Sequence, residues 1–285
     1  MRARFSKPRR VAWRNDHPMT DLPRDLDGHA RQLLDHRRHG TPNPVLPEGE
    51  RLSDLALAYA IQDAGDAILR ASMGWKVIGY KIAGTNPAAR AHLRIEAPFF
   101  GRLYDAMTSL SPATVAHSGW LRVHEPEIAL EIGRDLDPAE APFDAARIEA
   151  ATYAVMPAIE IIGTPFTPWA QAGAANLVAD NAAHGHWIRG APLRDWSGLD
   201  LMDSAVSLSI NGEVRATGKG RNVDGGAFGA AAWLANALAE RGRGLKRGDY
   251  ITTGSVTPTI PVEPGQRVLA DFGPLGAIDL RVGAR

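Results

Sequence analysis

The chain has 285 residues, 45% hydrophobic and 22% charged, which is long enough to bury a substantial core, and no apolar run reaches the roughly 18 residues of a membrane-spanning helix. Its formal net charge is zero, which gives no global field that favours nucleic acid or an anionic membrane as a partner. It has no cysteine, which excludes disulfides, thiolate metal sites and cysteine nucleophiles and is typical of a reducing compartment such as the cytoplasm.

The first 14 residues carry six basic and no acidic side chains. This composition is typical of a disordered basic tail or of a start assigned upstream of the true one at Met19, and a transit-like segment is a further alternative. We predict a basic tail over 1–18, a helical N-terminal region over 19–75 and a β-rich catalytic domain over 76–285.

Two segments of the N-terminal region have helical character. Residues 21–40 are predicted to form a polar helix, and a stretch rich in glycine and proline follows them. From Ser53 onward apolar residues recur at helical spacing, with Ser53 placed to cap the helix and Gly74 placed to end it. The next run, WKVIGYKIAG, is rich in β-branched and aromatic residues and predicts a strand.

From about residue 120 the sequence predicts short strands joined by turns. In SAVSLSINGEVRATG apolar residues alternate, and Asn211 and Gly212 supply a two-residue hairpin turn. GAFGAAAWLANALAERG is typical of an Ala-rich helix that ends near Gly242. DYITTGS, RVLADFG and GAIDLRVG are three further predicted strands. The sum is an α+β fold without regular βαβ alternation.

Three glutamates could gather into one site. Glu125 and Glu127 share one face of the predicted strand VHEPEIALEI, a pattern that is also typical of a half-buried strand with a solvated polar face. Glu160 lies in the apolar run YAVMPAIEIIG, where a carboxylate must be protonated, bound to a metal or paired, for instance with a distant arginine. If the three converge, they form a hard-oxygen site for Mg²⁺ or Mn²⁺. Glu131 lies roughly 13 Å beyond Glu127 along an extended strand, so it is not predicted to be a ligand of this site.

Other polar residues have both an ordinary and a functional interpretation. Lys81 can extend its amine to the surface, or it can move protons if it lies buried beside a cation. The Thr-Gly-Ser sequence at 253–255 is typical of a turn, yet such a strand end can also hold a substrate carboxylate. The two histidines of HGH at 184–186 have a spacing that suits a metal but lack a third zinc ligand nearby.

Eight motifs in a fixed order resemble the 2-keto-4-pentenoate hydratase family, within the fumarylacetoacetate hydrolase superfamily, from about residue 50 to the end of the chain. The motifs are GYKIAGTN, APFFGRLYDAM, EPEIALEI, PAIEII, VADNAAHG, AAAWLANALAERG, DYITTGS and FGPLGAIDLRV. The resemblance implies a β-rich, rolled mixed sheet after a small helical N-terminal region. It also implies a homo-oligomer.

The resemblance assigns a role to each of the candidate residues. It implies that the metal ligands are Glu125, Glu127 and Glu160 and that the catalytic lysine is Lys81. It also implies that the strand end at Thr253, Gly254 and Ser255 binds the substrate. Relatives use Mg²⁺ or Mn²⁺ to chelate the carboxylate and 2-oxo oxygens of a small 2-oxo acid. The cation stabilises negative charge on the enolate oxygen, and the lysine would carry protons between enol and keto forms.

Three positions depart from the hydratase pattern. Phe99 stands where an Asp is usual, Ala183 stands where a Ser is usual, and Gly226 replaces the His of a Gly-His-Pro before the long helix. His184, next to Ala183, could substitute as a proton carrier. The leading prediction is a Mg²⁺ or Mn²⁺-dependent hydratase-type lyase. A 2-oxo acid decarboxylase, a C–C bond hydrolase and a non-catalytic partner subunit stay open as alternatives.

Overall fold

The computed structural model of the protein describes residues 25–46 and 51–284, so the predicted basic tail over 1–18 lies outside the described residues. The helices are α1 (Leu26–His39), α2 (Leu55–Met73), α3 (Pro87–Leu93), α4 (Ala145–Ala151), α5 (Ala174–Ala179) and α6 (Gly226–Ala239). The first strands are β1 (Asn43–Pro44), β2 (Val77–Ala83), β3 (Phe99–Tyr104), β4 (Thr108–Leu110), β5 (Ala113–Val115), β6 (Leu121–Ile132) and β7 (Thr152–Gly163). The later strands are β8 (Phe166–Thr167), β9 (His184–Arg189), β10 (Ala205–Ile210), β11 (Glu213–Lys219), β12 (Tyr250–Thr252), β13 (Ile260–Pro261), β14 (Arg267–Asp271) and β15 (Ala277–Val282).

A rolled mixed sheet forms the centre of the fold. Its strand order is β3-β2-β12-β6-β7-β9-β4, and β13 adds to β6. The pairs β2–β12 and β4–β9 are parallel, whereas β6 runs antiparallel to both β12 and β7. A second, five-stranded sheet has the order β11-β10-β14-β15-β5. The predicted α+β class, with a helical N-terminal region before a rolled mixed sheet, is confirmed.

The helix caps agree with the sequence in one place and differ in another. Gly74 ends α2 with a φ of 69°, in the left-handed conformation that glycine adopts most easily. The prediction that Ser53 caps the start is wrong. The cap is Asp54, whose carboxylate accepts the backbone N–H groups of Ala56 and Leu57. A carboxylate near a helix N-terminus is also favoured by the helix dipole.

The hairpin β10–β11 forms as its turn residues predict. Asn211 and Gly212 have φ values of 52° and 86°, which matches the positive φ at both central positions of a type I′ turn. The three C-terminal strands β12, β14 and β15 lie where the sequence places them. No helix among the described residues is long and apolar enough to cross a membrane.

Strand β6 is buried on both faces, which makes its glutamates unusual. Ile128, Leu130 and Ile132 belong to the main hydrophobic core on one face. On the other face Ala129 packs in a small separate cluster with residues of β3, β7 and β9. Glu127 shares that second face and is fully buried, whereas Glu125 and Glu131 on the same face are partly buried. The alternative of a solvated polar face therefore does not hold at Glu127.

Candidate metal centre and active site

Strand register brings the three glutamates together. β6 and β7 run antiparallel, and Glu125 lies directly opposite Glu160 in the ladder. Glu127 lies two residues further along β6, on the same face, because strand side chains alternate with a period of two. One carboxylate oxygen from each of the three residues lies within 4.8 Å of the others. Residues 35 positions apart in the sequence therefore form one carboxylate cluster.

Burial and mutual repulsion disfavour charge on two of the carboxylates. Burial, followed by the neighbouring charges of Glu160 and Glu125, raises the pKa of Glu127 well above its usual range. Burial and then Glu160 raise the pKa of Glu125 to about 7, while the positive charge of Lys81 acts in the opposite direction. Without a cation the cluster therefore retains protons near neutral pH, because isolated charges in an apolar interior are unfavourable.

Glu160 has two basic partners. The Lys81 Nζ atom lies 3.2 Å from Oε2 of Glu160, and the His184 Nδ1 atom lies 2.9 Å from Oε1. All three side chains are buried. The partners of this carboxylate are thus a lysine from β2 and a histidine from β9. The alternative of a distant arginine as its partner is not what the structure has.

Lys81 is held inside the sheet. Its side chain is 0% exposed, which excludes the alternative that the amine extends to the surface. In the sheet Lys81 pairs with Thr252 of the parallel strand β12 and with Gly101 of β3. Besides Glu160, the ammonium group contacts the backbone carbonyl of Ala182, to which it donates a hydrogen bond of 2.9 Å.

The donor atoms of the cluster suit a divalent cation. Glu127 accepts hydrogen bonds at Oε2 from the Gly254 N–H, at 2.8 Å, and from the Thr252 hydroxyl. Its Oε1 atom is buried and accepts no hydrogen bond within the part of the chain that the structure describes, whereas Oε2 of Glu160 has the ion pair with Lys81. Buried carboxylate oxygens without a hydrogen-bond donor fit a hard cation such as Mg²⁺ or Mn²⁺, which prefers oxygen ligands.

The strand end after β12 lies beside Glu127. The hydroxyl of Thr253 donates to the carbonyl of Ile128 at 2.7 Å, and that of Ser255 donates to the carbonyl of Thr257 at 2.8 Å. These bonds fix the backbone of the segment, and its role in substrate binding stays a prediction. Thr252, which contacts Glu127, was missed by the sequence analysis, although it directly precedes the Thr-Gly-Ser motif.

The backbone at position 254 requires a glycine. Its φ is 109°, a conformation that residues with a side chain rarely adopt. A Cβ atom here would lie 1.7 Å from Oγ1 of Thr85, which is a buried hydroxyl without a hydrogen-bond partner in the described chain. The close approach of Thr85 explains why this turn has no side chain.

The segment between α5 and β9 forms an unusual turn that the sequence did not indicate. Three consecutive residues, Asn181, Ala182 and Ala183, have φ values of 51°, 54° and 56°. Left-handed backbone costs about 1–2 kcal/mol for each residue with a side chain, and only asparagine adopts it with some ease. Nothing in two adjacent alanines signals this conformation.

The two histidines of HGH have separate roles. Nδ1 of His184 contacts Glu160, whereas Nε2 of His186 lies 2.9 Å from the hydroxyl of Ser109. Among the described residues, the only cluster of three or more metal-ligating side chains consists of the three glutamates. The geometry therefore does not support a zinc site at the two histidines.

Relatives of known function share most of the chain. A comparison with models of protein families finds no match. A 2-keto-4-pentenoate hydratase of Paraburkholderia xenovorans (strain LB400) is 31% identical over 262 residues, which cover 90% of this chain and 94% of the relative. The chain belongs to the 2-keto-4-pentenoate hydratase family. A second relative with that name, from Burkholderia vietnamiensis (strain G4 / LMG 22486), is 35% identical over 79% of this chain and 85% of its own length.

Solved structures share the fold over most of the chain. The 4-oxalocrotonate decarboxylase from Pseudomonas putida G7, complexed with magnesium and adipate, matches with a TM-score of 0.83 and 26% identity over 90% of this chain and 97% of its own. The same decarboxylase complexed with calcium and acetate matches with a TM-score of 0.82 and 27% identity. The expected fold of the fumarylacetoacetate hydrolase superfamily is confirmed. A structure assigned to the fumarylacetoacetate hydrolase family, from Yersinia pestis CO92, shares this fold with a TM-score of 0.56 and 16% identity over 71% of this chain and 91% of its own.

Proposed function

We propose that the protein is a divalent-metal-dependent lyase of hydratase type that acts on a small 2-oxo acid. The observation that carries this proposal is the cluster of Glu125, Glu127 and Glu160 with the amine of Lys81 buried against it. Membership of a hydratase family over 90% of the chain supports the reaction class. The natural substrate on this account is a short 2-hydroxy-dienoate, which is the enol form of an unsaturated 2-oxo acid.

The three glutamates would hold Mg²⁺ or Mn²⁺. A cation bound there would supply a Lewis acid that stabilises negative charge developing on the 2-oxo oxygen of the substrate. The N–H of Gly254 and the hydroxyl of Thr252 orient Glu127 for this task, since both donate to the same oxygen, Oε2. Oε1 of Glu127, which accepts no hydrogen bond from the described residues, would then be free to hold the cation. Hydrogen bonds that orient a ligand in this way sharpen the geometry of a metal site.

Lys81 would move the proton of the reaction. Tautomerisation takes the proton from the enol oxygen and places one on the terminal carbon, which leaves a double bond conjugated with the 2-oxo group. Water then adds across this bond, with hydroxyl at the distal carbon and hydrogen next to the carbonyl. The amine of Lys81 is buried beside the carboxylate cluster and carries a transferable proton, and its contacts with Glu160 and with the carbonyl of Ala182 fix the position of Nζ.

Decarboxylation is the second candidate. The similarity to 4-oxalocrotonate decarboxylase over 90% of the chain favours it, and so do Phe99 and Ala183, which lack the acid and the hydroxyl of the hydratase pattern. Both reactions need charge stabilisation at the same 2-oxo oxygen. The carboxylate cluster therefore suits either one, and substrate turnover must separate them.

A single assay separates the candidates. The purified protein with Mg²⁺ is given 2-hydroxypenta-2,4-dienoate or 4-oxalocrotonate, and ultraviolet absorbance and CO₂ are followed together. Loss of the dienol absorbance without CO₂ supports the hydratase, and release of CO₂ from the second compound supports the decarboxylase. If neither compound reacts with or without metal, the proposal is wrong.

A non-catalytic partner subunit is tested by substitution. On that account Glu125→Ala changes neither metal binding nor turnover, whereas the lyase proposal predicts the loss of both. Assembly into a homo-oligomer and a cytoplasmic location stay predictions, and light scattering after size-exclusion chromatography tests the first of them.

A further inference from the structure

The N-terminal helix α1 reaches the active site through one arginine. Arg37, in the last turn of α1, pairs with the buried carboxylate of Asp180 through Nε at 2.5 Å and Nη2 at 2.8 Å. Its Nη1 donates to the carbonyl of His184 at 2.7 Å, and Nη2 also donates to the carbonyl of Gly163 at 2.8 Å. The guanidinium therefore joins both ends of the segment 180–184, and no other cationic side chain has its planar set of five donors.

The carboxylate that Arg37 binds is itself fixed. The hydroxyl of Thr164 donates to Oδ2 of Asp180 at 2.6 Å. The guanidinium of Arg37 also stacks on the ring of Trp120, with 5.1 Å between Cζ and the ring centroid. These contacts hold the guanidinium of Arg37 in a single orientation. The distance that it sets between Asp180 and His184 is therefore well defined.

The segment that Arg37 holds contains the left-handed turn. The Asn181 side chain accepts from the N–H of Arg102 at 2.8 Å and donates to the carbonyl of the same residue at 2.9 Å. The carbonyl of Asn181 approaches β3 so closely that a Cβ on Gly101 would lie 2.4 Å from it. Since left-handed backbone at alanine is unfavourable, these contacts are what maintain the turn.

The turn delivers two groups to the candidate active site. The carbonyl of Ala182 accepts the hydrogen bond from Nζ of Lys81 at 2.9 Å, and the imidazole of His184 contacts Glu160 at 2.9 Å. A relaxed, right-handed backbone at Ala182 would redirect its carbonyl. Lys81 would then lose one of the two contacts that locate its ammonium group.

We propose that Arg37 is a positioning residue of the active site. It holds residues 180–184 in the left-handed conformation that places the Ala182 carbonyl on Lys81 and His184 on Glu160. The kinetic consequence rests on the proposed function, because it assumes that Lys81 transfers the proton. The helical N-terminal region is on this account a working part of the active site, although the sequence analysis assigned it to a separate region over 19–75.

The test compares Arg37→Ala with the matched control Arg147→Ala. Arg147 likewise binds one carboxylate and two carbonyls, those of Glu140 and Pro142, but it lies at α4 and contacts no residue of the site. Measured for each variant are kcat and KM, Mn²⁺ affinity, circular dichroism, and hydrogen exchange of peptides that cover 180–186. Hydrogen exchange is measured without substrate, so it tests whether Arg37 maintains the conformation of the turn even if the proposed function is wrong.

The expected result for Arg37→Ala is a kcat lowered by roughly tenfold or more with KM retained, because a small misplacement of a catalytic group reduces the rate strongly. Mn²⁺ affinity should fall as well, because His184 would no longer hold Glu160 in place. Exchange over 180–186 becomes faster, while exchange in β6 stays as in the wild type. Millimolar ethylguanidinium restores part of kcat, and ethylammonium does not, because only the planar group can span Asp180 and the two carbonyls. Arg147→Ala has wild-type kcat.

Three results would overturn the proposal. The first is an unchanged exchange rate over 180–186 in folded Arg37→Ala, and the second is an unchanged kcat despite faster exchange. The third is a loss of kcat that Arg147→Ala shows equally or that ethylammonium reverses as well. If Arg37→Ala does not fold, Thr164→Val replaces it. That variant removes one bond to Asp180 and must show a smaller change in the same direction in both exchange and kcat, or the proposal fails.

Discussion

The Lys81 ammonium and the Glu160 carboxylate lie 3.2 Å apart, and both side chains are 0% exposed. A buried pair of this kind is strongly destabilised when one partner alone is removed, because the remaining charge has lost its compensation. Lys81 therefore has two tasks on our account. It neutralises part of the carboxylate cluster, and it holds the proton that the reaction moves.

Lys81→Met separates these two tasks. Methionine keeps much of the alkyl volume but removes the proton donor, so we expect kcat to fall by roughly 10²-fold or more. Metal affinity should be retained or increased, because a positive charge beside the ligands is gone. Kinetics with the dienol substrate and Mn²⁺ titration measure the two effects. Full activity in this variant would refute the assignment of Lys81 as proton carrier.

Metal ions should stabilise the folded protein. The three carboxylates repel one another, and a ligand that binds only the native state at about 100 times its Kd adds about 2.7 kcal/mol to the free energy of unfolding. For a chain of this size, with an unfolding entropy of about 2.1 cal/mol/K per residue, we expect a Tm increase of roughly 4 to 5 °C. Differential scanning fluorimetry with Mg²⁺ and then excess EDTA measures it. The increase should be absent in Glu127→Gln, and an increase of equal size there would argue against the site.

Gly101→Ala tests the close approach of β3 to the left-handed turn. The added Cβ would lie 2.4 Å from the carbonyl oxygen of Asn181, so the backbone must move. Overpacking of this kind costs about 1–3 kcal/mol, and we expect a lower Tm together with a lower kcat. Gly198→Ala is the control, since no heavy atom lies within 4 Å of its added Cβ. Equal effects of the two substitutions would show that contact with the turn is not the cause.

The contribution of His186 to the free energy of unfolding should fall as the pH decreases from about 6.5 to about 4. Burial lowers the pKa of His186 to about 4 in the folded protein, and the nearby His184 acts in the same direction. The unfolded histidine has its ordinary pKa of about 6.5, so between these values the unfolded chain binds more protons than the folded chain. The stability that His186 contributes as a neutral residue is complete above pH 6.5 and is lost on acidification. The full loss is about 3 kcal/mol.

Urea unfolding between pH 4 and pH 7, in EDTA, measures this dependence. In His186→Gln the slope of the free energy of unfolding against pH should decrease. A slope that His186→Gln does not change would show that another group causes the acid sensitivity.

The convergence of the glutamates could be predicted because it depends on local patterns. Alternation places Glu125 and Glu127 on one face, and an apolar run makes Glu160 require a partner. The position of Lys81 beside them came from the family resemblance. Antiparallel pairing of β6 with β7 then explains the geometry, since it sets Glu125 opposite Glu160.

The turn and its arginine could not be predicted in the same way. The left-handed backbone of Ala182 and Ala183 contradicts their local preference, and contacts between residues 16 to 147 positions apart in the sequence maintain it. Arg37 lies in a polar helix rich in basic residues, where nothing distinguishes it from its neighbours. Tertiary contacts alone select it. The error at the start of α2 has a local cause: Ser53 and Asp54 are both residue types that can cap a helix, and the cap is Asp54.

The most direct test of the carboxylate cluster is a titration of the metal-free protein with Mn²⁺, followed by isothermal calorimetry. Wild type, Glu125→Gln, Glu127→Gln and Glu160→Gln are compared, with Glu131→Gln as the control on the same face of β6. We predict one ion per chain in the wild type and in Glu131→Gln, and binding that is strongly weakened in each of the other three. Undiminished binding in those three variants would contradict the account.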